Sequence, residues 1–164
     1  MTVEQHQRRV RSEILTARQG LVAGIVGGLA LALVSGALSQ VLGNGLWLPA
    51  NAAGSFFLGV QPIPGEMAGA LSYVGLAVMA LMGALLGTLY ATAQEPLDTP
   101  SLLIIALYYG FITWFVSTFL ILSWLSPAVK GVWQSWAVFA GHLVFGAVLG
   151  IYAALRNPRR RPSA

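Results

Sequence analysis

The sequence has no cysteine and very little charge. Among its 164 residues, 9% are charged and 57% are hydrophobic. Without cysteine there is no disulfide framework, no thiolate metal site and no cysteine nucleophile. A soluble domain carries about a quarter charged residues on average, so the low charge excludes that class of protein. These shortages indicate a protein whose main solvent is lipid.

The few charged residues lie at the ends of the chain and in narrow gaps between four long uncharged stretches. Each stretch exceeds the roughly 20 residues that a helix needs to cross about 30 Å of hydrocarbon. The sequence therefore predicts an all-α, polytopic membrane protein built as a bundle of four transmembrane helices. The predicted spans are 20–42, 67–92, 101–124 and 134–155. They form one transmembrane domain, residues 20–155, between a basic amphipathic N-terminal segment (1–19) and a basic tail (156–164).

A cleaved signal peptide is the alternative for the first span, because a basic segment precedes it and residues 37–39 resemble a small-residue cleavage site. The apolar run is about 22 residues long, whereas the apolar region of a signal peptide covers about 7 to 15. The length favours a retained helix.

The basic residues predict the orientation. Arginines concentrate before the first span and after the last, and Lys130 is the only other basic residue. Because Lys and Arg accumulate in cytoplasmic segments, we expect both termini in the cytoplasm, near anionic headgroups. Residues 43–66 and 125–133 are then extracytoplasmic, and an even number of spans agrees with this. Membrane topology accounts for the net charge of +4 without nucleic-acid binding.

Small residues recur at every fourth position in three of the predicted spans. They are Gly20, Gly24, Gly28, Ala32 and Gly36 in the first span, Gly83 and Gly87 in the second, and Gly146 and Gly150 in the fourth. Such spacing lets helix backbones approach closely in lipid. We expect these faces to pack inside the bundle, and a surface for a second copy or a partner subunit is the alternative. The third span is rich in aromatic residues and is expected to be more peripheral.

The segment between the first two spans, residues 43–66, is long and apolar for a connection between helices. Pro49 can begin a short helix that runs to about Val60, and Trp47, Phe56 and Phe57 suit the headgroup region. We expect an interfacial helix that covers the bundle. The alternative is a re-entrant segment lining a cavity, whose non-helical backbone needs shielding from lipid.

His142 is the only ionisable residue well inside a predicted span, which makes it a functional candidate. We expect it to form a hydrogen bond with a neighbouring helix. The candidate partners are Tyr108, Tyr109, Thr113, Ser117 and Ser72. A metal or haem site needs additional strong ligands, so the sequence predicts neither a metal nor a cofactor.

A catalytic set is not evident in the sequence. The five acidic residues lie at or beyond the ends of the predicted helices, and there are no paired carboxylates within a span. Glu66 is the one acid that can approach His142, although a place near the start of the second span also explains it. With Gln40, these two residues form the candidate polar site, and we expect no enzyme.

Three stretches resemble a family of uncharacterised bacterial four-helix integral membrane proteins. They are GLVAGIVGGLALAL (20–33), GLWLPANAAGSFFLG (45–59) and GHLVFGAVLGIYAAL (141–155). The resemblance implies a multi-pass protein of bacterial origin and adds no catalytic residue. The chain lacks the four histidines of tetrahistidine cytochromes and the intramembrane glutamate of small multidrug transporters.

These patterns favour a non-enzymatic inner-membrane protein, either an accessory, assembly or structural component of a membrane complex or a small homo-oligomer. The alternative is a small transporter or channel whose pathway lies near His142 and residues 43–66. A hydrated cavity at His142 and Gln40 would favour transport, whereas packed and hydrogen-bonded side chains would favour the accessory role.

Overall fold

The computed structural model describes residues 15–63, 65–94 and 99–156, and this part of the chain is helical without strands. A π-helical segment, Val116–Ile121, joins the fourth helix to the fifth. The α-helices are α1 (Ala17–Val41), α2 (Leu48–Leu58), α3 (Ala70–Ala93), α4 (Thr99–Phe115), α5 (Leu122–Leu125), α6 (Pro127–Trp133) and α7 (Trp136–Arg156).

Four helical stretches of the described chain are long and apolar enough to cross a membrane. They are Ala17–Val41, Ala70–Ala93, Pro100–Leu125 and Trp136–Arg156. The four predicted spans are confirmed to within a few residues at each end, and the chain is a multi-pass membrane protein with a four-helix bundle. The predictions for most of the N-terminal segment and for the tail fall on residues 1–14 and 157–164, which lie outside the described residues.

Local chemistry explains where two of the helices begin or end. The Thr16 hydroxyl accepts the Gln19 backbone N–H at 3.3 Å, and the Gln19 side chain accepts the Thr16 N–H at 2.9 Å. This capping box satisfies two donors that the first turn of α1 leaves unpaired. At the C-terminal end of α2, Gly59 adopts the left-handed conformation, with φ +67°, which ends a helix at little steric cost.

The central helix of the bundle is α1, which packs against α3 on one side and α7 on the other, and α4 packs on α7. All three contacts are antiparallel, because residue numbers rise in one helix as they fall in its neighbour. Gly20 lies against Gly87 and Gly28 against Met79, Gly27 against Phe145 and Leu31 against Gly141, and Ala106 against Gly146 and Gly110 against His142. The helices α1 and α4 therefore run in one direction and α3 and α7 in the other. We call the end holding Ala17 and Arg156 the terminal end, and the end holding α2 and α6 the loop end.

The small-residue faces of the first two spans meet each other. A Cβ atom at Gly24 would overlap the carbonyl oxygen of Gly83, and a Cβ atom at Gly83 would overlap that of Gly24. Gly20 has the same relation to Gly87, and Gly28 lies against the carbonyl of Met79. In lipid, where helices gain nothing by hiding apolar surface, such backbone contact is what holds a pair together.

The rest of the first predicted ridge contacts other elements. A Cβ atom at Gly36 would approach the carbonyl oxygen of Leu46 to 2.6 Å, and the partly buried Ala32 packs on the main core cluster. One face of α1 thus serves two neighbours, α3 toward the terminal end and the connection to α2 toward the loop end.

The third span is the least buried of the four. Buried residues make up 17% of its most apolar window, against 39% to 50% in the other spans. It nevertheless has a small-residue face of its own, since Ala106 and Gly110 meet Gly146 and Gly150 of α7 at backbone distance. That face was missed because a single glycine among aromatic residues does not stand out as a repeat.

Candidate functional site

His142 lies in the second turn of α7 and is 6% exposed. Its Nδ1 atom is 2.9 Å from the carbonyl oxygen of Val138, one turn earlier in the same helix. A carbonyl oxygen only accepts, so Nδ1 carries the proton, and in the neutral ring Nε2 is left as an acceptor. Among the described residues Nε2 has no hydrogen-bond partner.

The hydrogen bond expected between His142 and a neighbouring helix is therefore wrong, because the bond is made within α7. The candidate partners have other roles. Tyr109 donates to the Leu86 carbonyl at 2.7 Å, Thr113 and Ser117 donate to carbonyls of their own helix, Ser72 donates to Asn51, and Tyr108 is exposed. Four of the five candidate hydroxyls are thus bonded to other acceptors, and the fifth, that of Tyr108, belongs to an exposed side chain.

A cavity of about 80 Å³ borders His142, and we call it the His142 crevice. Its walls come from α1, α3 and α7, with Ala53 of α2 and Trp133 of α6 toward the loop end. Apart from His142, the lining residues carry hydrocarbon, thioether or aromatic side chains. They include Leu31, Met79, Met82, Leu86 and Phe145. The crevice is therefore a largely apolar space, and the polar side-chain groups among its lining residues are the His142 imidazole and the indole N–H of Trp133.

The crevice continues sideways toward the outside of the bundle. An adjoining cavity of about 170 Å³ shares Ala53, Val78, Met82 and Trp133 with it and extends to Ser117 and Ile121 of the π-helical segment. The opening of this second cavity thus lies between α3 and the π-helical segment, on a side of the bundle that lipid surrounds. Segments with π-helical turns are frequent at functional sites.

Aromatic residues close the gap between α3 and α4 toward the terminal end. The Tyr109 hydroxyl bonds to the Leu86 carbonyl, and its ring lies 5.3 Å from that of Tyr90. Near the loop end, Trp114 donates from Nε1 to the carbonyl of Trp133 at 3.0 Å, and the Trp133 ring lies 6.3 Å from the His142 imidazole. The crevice is consequently bounded at both ends and open at its side.

Asn51 is the polar residue that organises the loop end. It is completely buried, and its Nδ2 atom donates to the carbonyls of Ile63 at 2.7 Å and Glu66 at 3.0 Å. Its Oδ1 atom accepts from the Ser72 hydroxyl at 2.5 Å, and that hydroxyl accepts the Ala68 N–H at 2.9 Å. We call these four bonds the Asn51 network. It ties α2, the loop after α2 and the first turn of α3 together.

The short helix α2 packs into the bundle. The predicted helix from Pro49 is present, and every residue of its 49–55 stretch is buried. Gly54 of α2 and Gly75 of α3 meet at backbone distance, while Phe57 is exposed near the end of the helix. An interfacial helix keeps one face toward headgroups, and in α2 only the end at Phe57 and Leu58 is exposed. Whether the segment is interfacial or re-entrant and lining a cavity stays a prediction.

The three residues of the candidate polar site are not brought together. Glu66 is exposed in the loop before α3, where its backbone carbonyl accepts from Asn51, and Gln40 is exposed near the end of α1. Neither residue lines the crevice, so within the described chain the expected Glu66–His142 pair is not formed. Sequence reasoning missed Asn51, although an amide in an apolar run must find partners if it is buried.

Within residues 15–63, 65–94 and 99–156, no cluster of histidine or carboxylate side chains is suited to hold a metal ion. No protein-family model, no curated protein and no solved structure matches the chain.

Proposed function

We propose that this protein is a non-enzymatic component of the bacterial inner membrane, acting as an accessory or assembly subunit of a larger membrane complex. The observation that carries this proposal is that the small-residue faces and the buried amide are all occupied by contacts within the chain. The glycine faces of α1, α3, α4 and α7 contact one another within one chain, and the Asn51 network serves the fold. Any contact with another protein is then made by the exposed apolar side chains on the outside of the bundle.

The third span offers such a surface, since it is the least buried of the four. Bulky side chains cover it from one end to the other. The exposed ones include Ile105, Tyr108, Ile112, Phe115, Leu120 and Trp124. A small homo-oligomer that forms through the same face is the alternative within this proposal. An oligomer that forms through the glycine faces is disfavoured, because those faces already contact one another within the chain.

A transport pathway has less support. The walls of the His142 crevice are apolar, and Gln40 lies away from it on the surface of α1. Of the two residues that distinguish the hypotheses, His142 is buried and hydrogen-bonded through Nδ1, whereas Gln40 is exposed, so the criterion for the accessory role is met by His142 alone.

Photo-crosslinking tests which face contacts a partner. A photoreactive amino acid at Ile112, 48% exposed on α4, is expected to give a protein adduct of one defined mass in native membranes. The same amino acid at Val26, 53% exposed on α1, is the matched control and is expected to give several-fold less protein adduct, because lipid faces it. Equal adducts at both positions, or none at either, would contradict the accessory role. An adduct of twice the chain mass that carries two different tags would replace it with the homo-oligomer.

The orientation is part of the proposal, with the terminal end in the cytoplasm. The chain has no cysteine, so Gln61→Cys and Ala17→Cys each supply a single thiol at an exposed position without altering the charge. A membrane-impermeant maleimide is expected to label Gln61→Cys in intact cells and Ala17→Cys only after the inner membrane is disrupted. The reverse pattern would place the terminal end outside, against the distribution of arginines.

A further inference from the structure

We propose that the His142 crevice binds a single-chain amphiphile from the bilayer, with its apolar chain between α3 and the π-helical segment and its O–H group bonded to His142. This inference goes beyond the proposed function, because it holds whether or not the protein has a partner subunit.

The imidazole supplies the polar half of the site. Val138 fixes the proton on Nδ1, which leaves the Nε2 lone pair at the far end of a buried ring that lines the crevice. An acceptor in an apolar space is satisfied by a donor, and no described residue forms a hydrogen bond to Nε2, since even the Trp133 ring is 6.3 Å from the imidazole. The ligand that fits therefore presents a hydrogen-bond donor to Nε2.

The side chains that line the two cavities indicate the charge and the apolar part of the ligand. The lining residues of both cavities are apolar or aromatic except for His142 and Ser117, and neither cavity is lined by Lys or Arg. A phosphate headgroup would thus be buried without a countercharge, which is costly. A neutral O–H group on one hydrocarbon chain matches both the apolar walls and the single acceptor.

The position of the opening between α3 and the π-helical segment determines how the ligand enters. Because the cavity at Val78, Met82, Ser117 and Ile121 opens on the side of the bundle, its occupant enters from lipid. Its volume of about 170 Å³, next to the crevice of about 80 Å³, suits one narrow chain. Long-chain alcohols and protonated fatty acids share the required chemistry, an O–H donor on an apolar chain.

Nitrogen NMR of the histidine ring tests the proposal on the full chain in phosphatidylcholine nanodiscs. The other histidine is His6, so His6→Gln leaves His142 as the only ¹⁵N-histidine signal. The probes are 1-dodecanol, dodecanoic acid and dodecyl methyl ether, which has the chain without the donor. The Nε2 resonance is expected to shift saturably with a probe that has an O–H group and to stay in place with the ether.

The probes distinguish the two sources of ligand. A shift with dodecanol supports an alcohol, a shift with dodecanoic acid alone supports a fatty acid, and shifts with both support the shared chemistry. An equal shift with the ether, or no saturable shift with any probe, would overturn the proposal.

A blocking variant tests where the chain lies. Val78 lines both cavities, and Val78→Trp is expected to weaken binding of the probe that shifts Nε2 by about tenfold or more. Val26→Trp makes the same change on the exposed side of α1 and is expected to retain the affinity. If the two folded variants bind the probe with equal affinity, the ligand does not lie in the crevice.

Discussion

Replacing Gly24 by alanine is expected to lower the free energy of unfolding by about 2–3 kcal/mol, although alanine is the better helix former. The added Cβ atom would overlap the carbonyl oxygen of Gly83, which belongs to the α3 backbone. A backbone atom cannot turn aside as a side chain can, so α1 and α3 must separate along their whole contact. Reversible unfolding in mixed micelles, followed by tryptophan fluorescence, measures the change.

Gly131→Ala is the matched control for Gly24→Ala. Gly131 lies in α6, is exposed, and has open space where a Cβ atom would stand. The same substitution there is expected to leave stability unchanged or to raise it by up to about 1 kcal/mol, the usual gain of alanine over glycine in a helix. If the two substitutions have the same effect, close packing at Gly24 is not what holds α1 to α3.

Asn51→Ala is expected to cost about 2–4 kcal/mol, because it leaves buried polar groups without partners. The carbonyls of Ile63 and Glu66 lose their donor, and the Ser72 hydroxyl loses its acceptor. The loop after α2 is also expected to become more sensitive to a protease added at the loop end, since this network holds it. The same unfolding measurement and a proteolysis time course check both effects.

Asn44→Ala is the control for this change. Asn44 is exposed and bonds through its backbone alone, accepting from the Gly65 N–H at 3.1 Å and donating to the Ser39 carbonyl at 2.9 Å, and alanine retains both bonds. Its effect is expected to stay within about 0.5 kcal/mol, as for most surface substitutions. A small effect at Asn51, similar to that at Asn44, would contradict the structural role of the Asn51 network.

Much of the fold follows from simple patterns in the sequence. Charge marks the gaps between spans, so their number and limits could be predicted from hydrocarbon thickness alone. The spacing of Gly20, Gly24 and Gly28 pointed to a close helix contact, and Pro49 pointed to the start of α2. These features depend on local chemistry or on a property of lipid that is the same for every membrane protein.

The details of the site depend on distances that the sequence does not contain. Asn51 bonds to carbonyls 12 and 15 residues away, and only the path of the loop makes them neighbours. His142 bonds to the carbonyl of Val138 in its own helix, and nothing in the sequence separates that partner from the hydroxyls of the other spans. The cavity that adjoins the crevice lies between α3 and the π-helical segment, and a gap between helices leaves no trace in their composition.

A double-mutant cycle on Gly24→Ala and Gly83→Ala tests most directly whether the glycine faces pack within one chain. Each added methyl group would strike the other residue's carbonyl, so once one substitution has separated the helices the second is expected to cost less. We predict a coupling of about 0.5–3 kcal/mol that is the same at high and low ratios of protein to detergent. Additive costs, or a coupling that disappears on dilution, would show that these glycines do not meet inside one bundle.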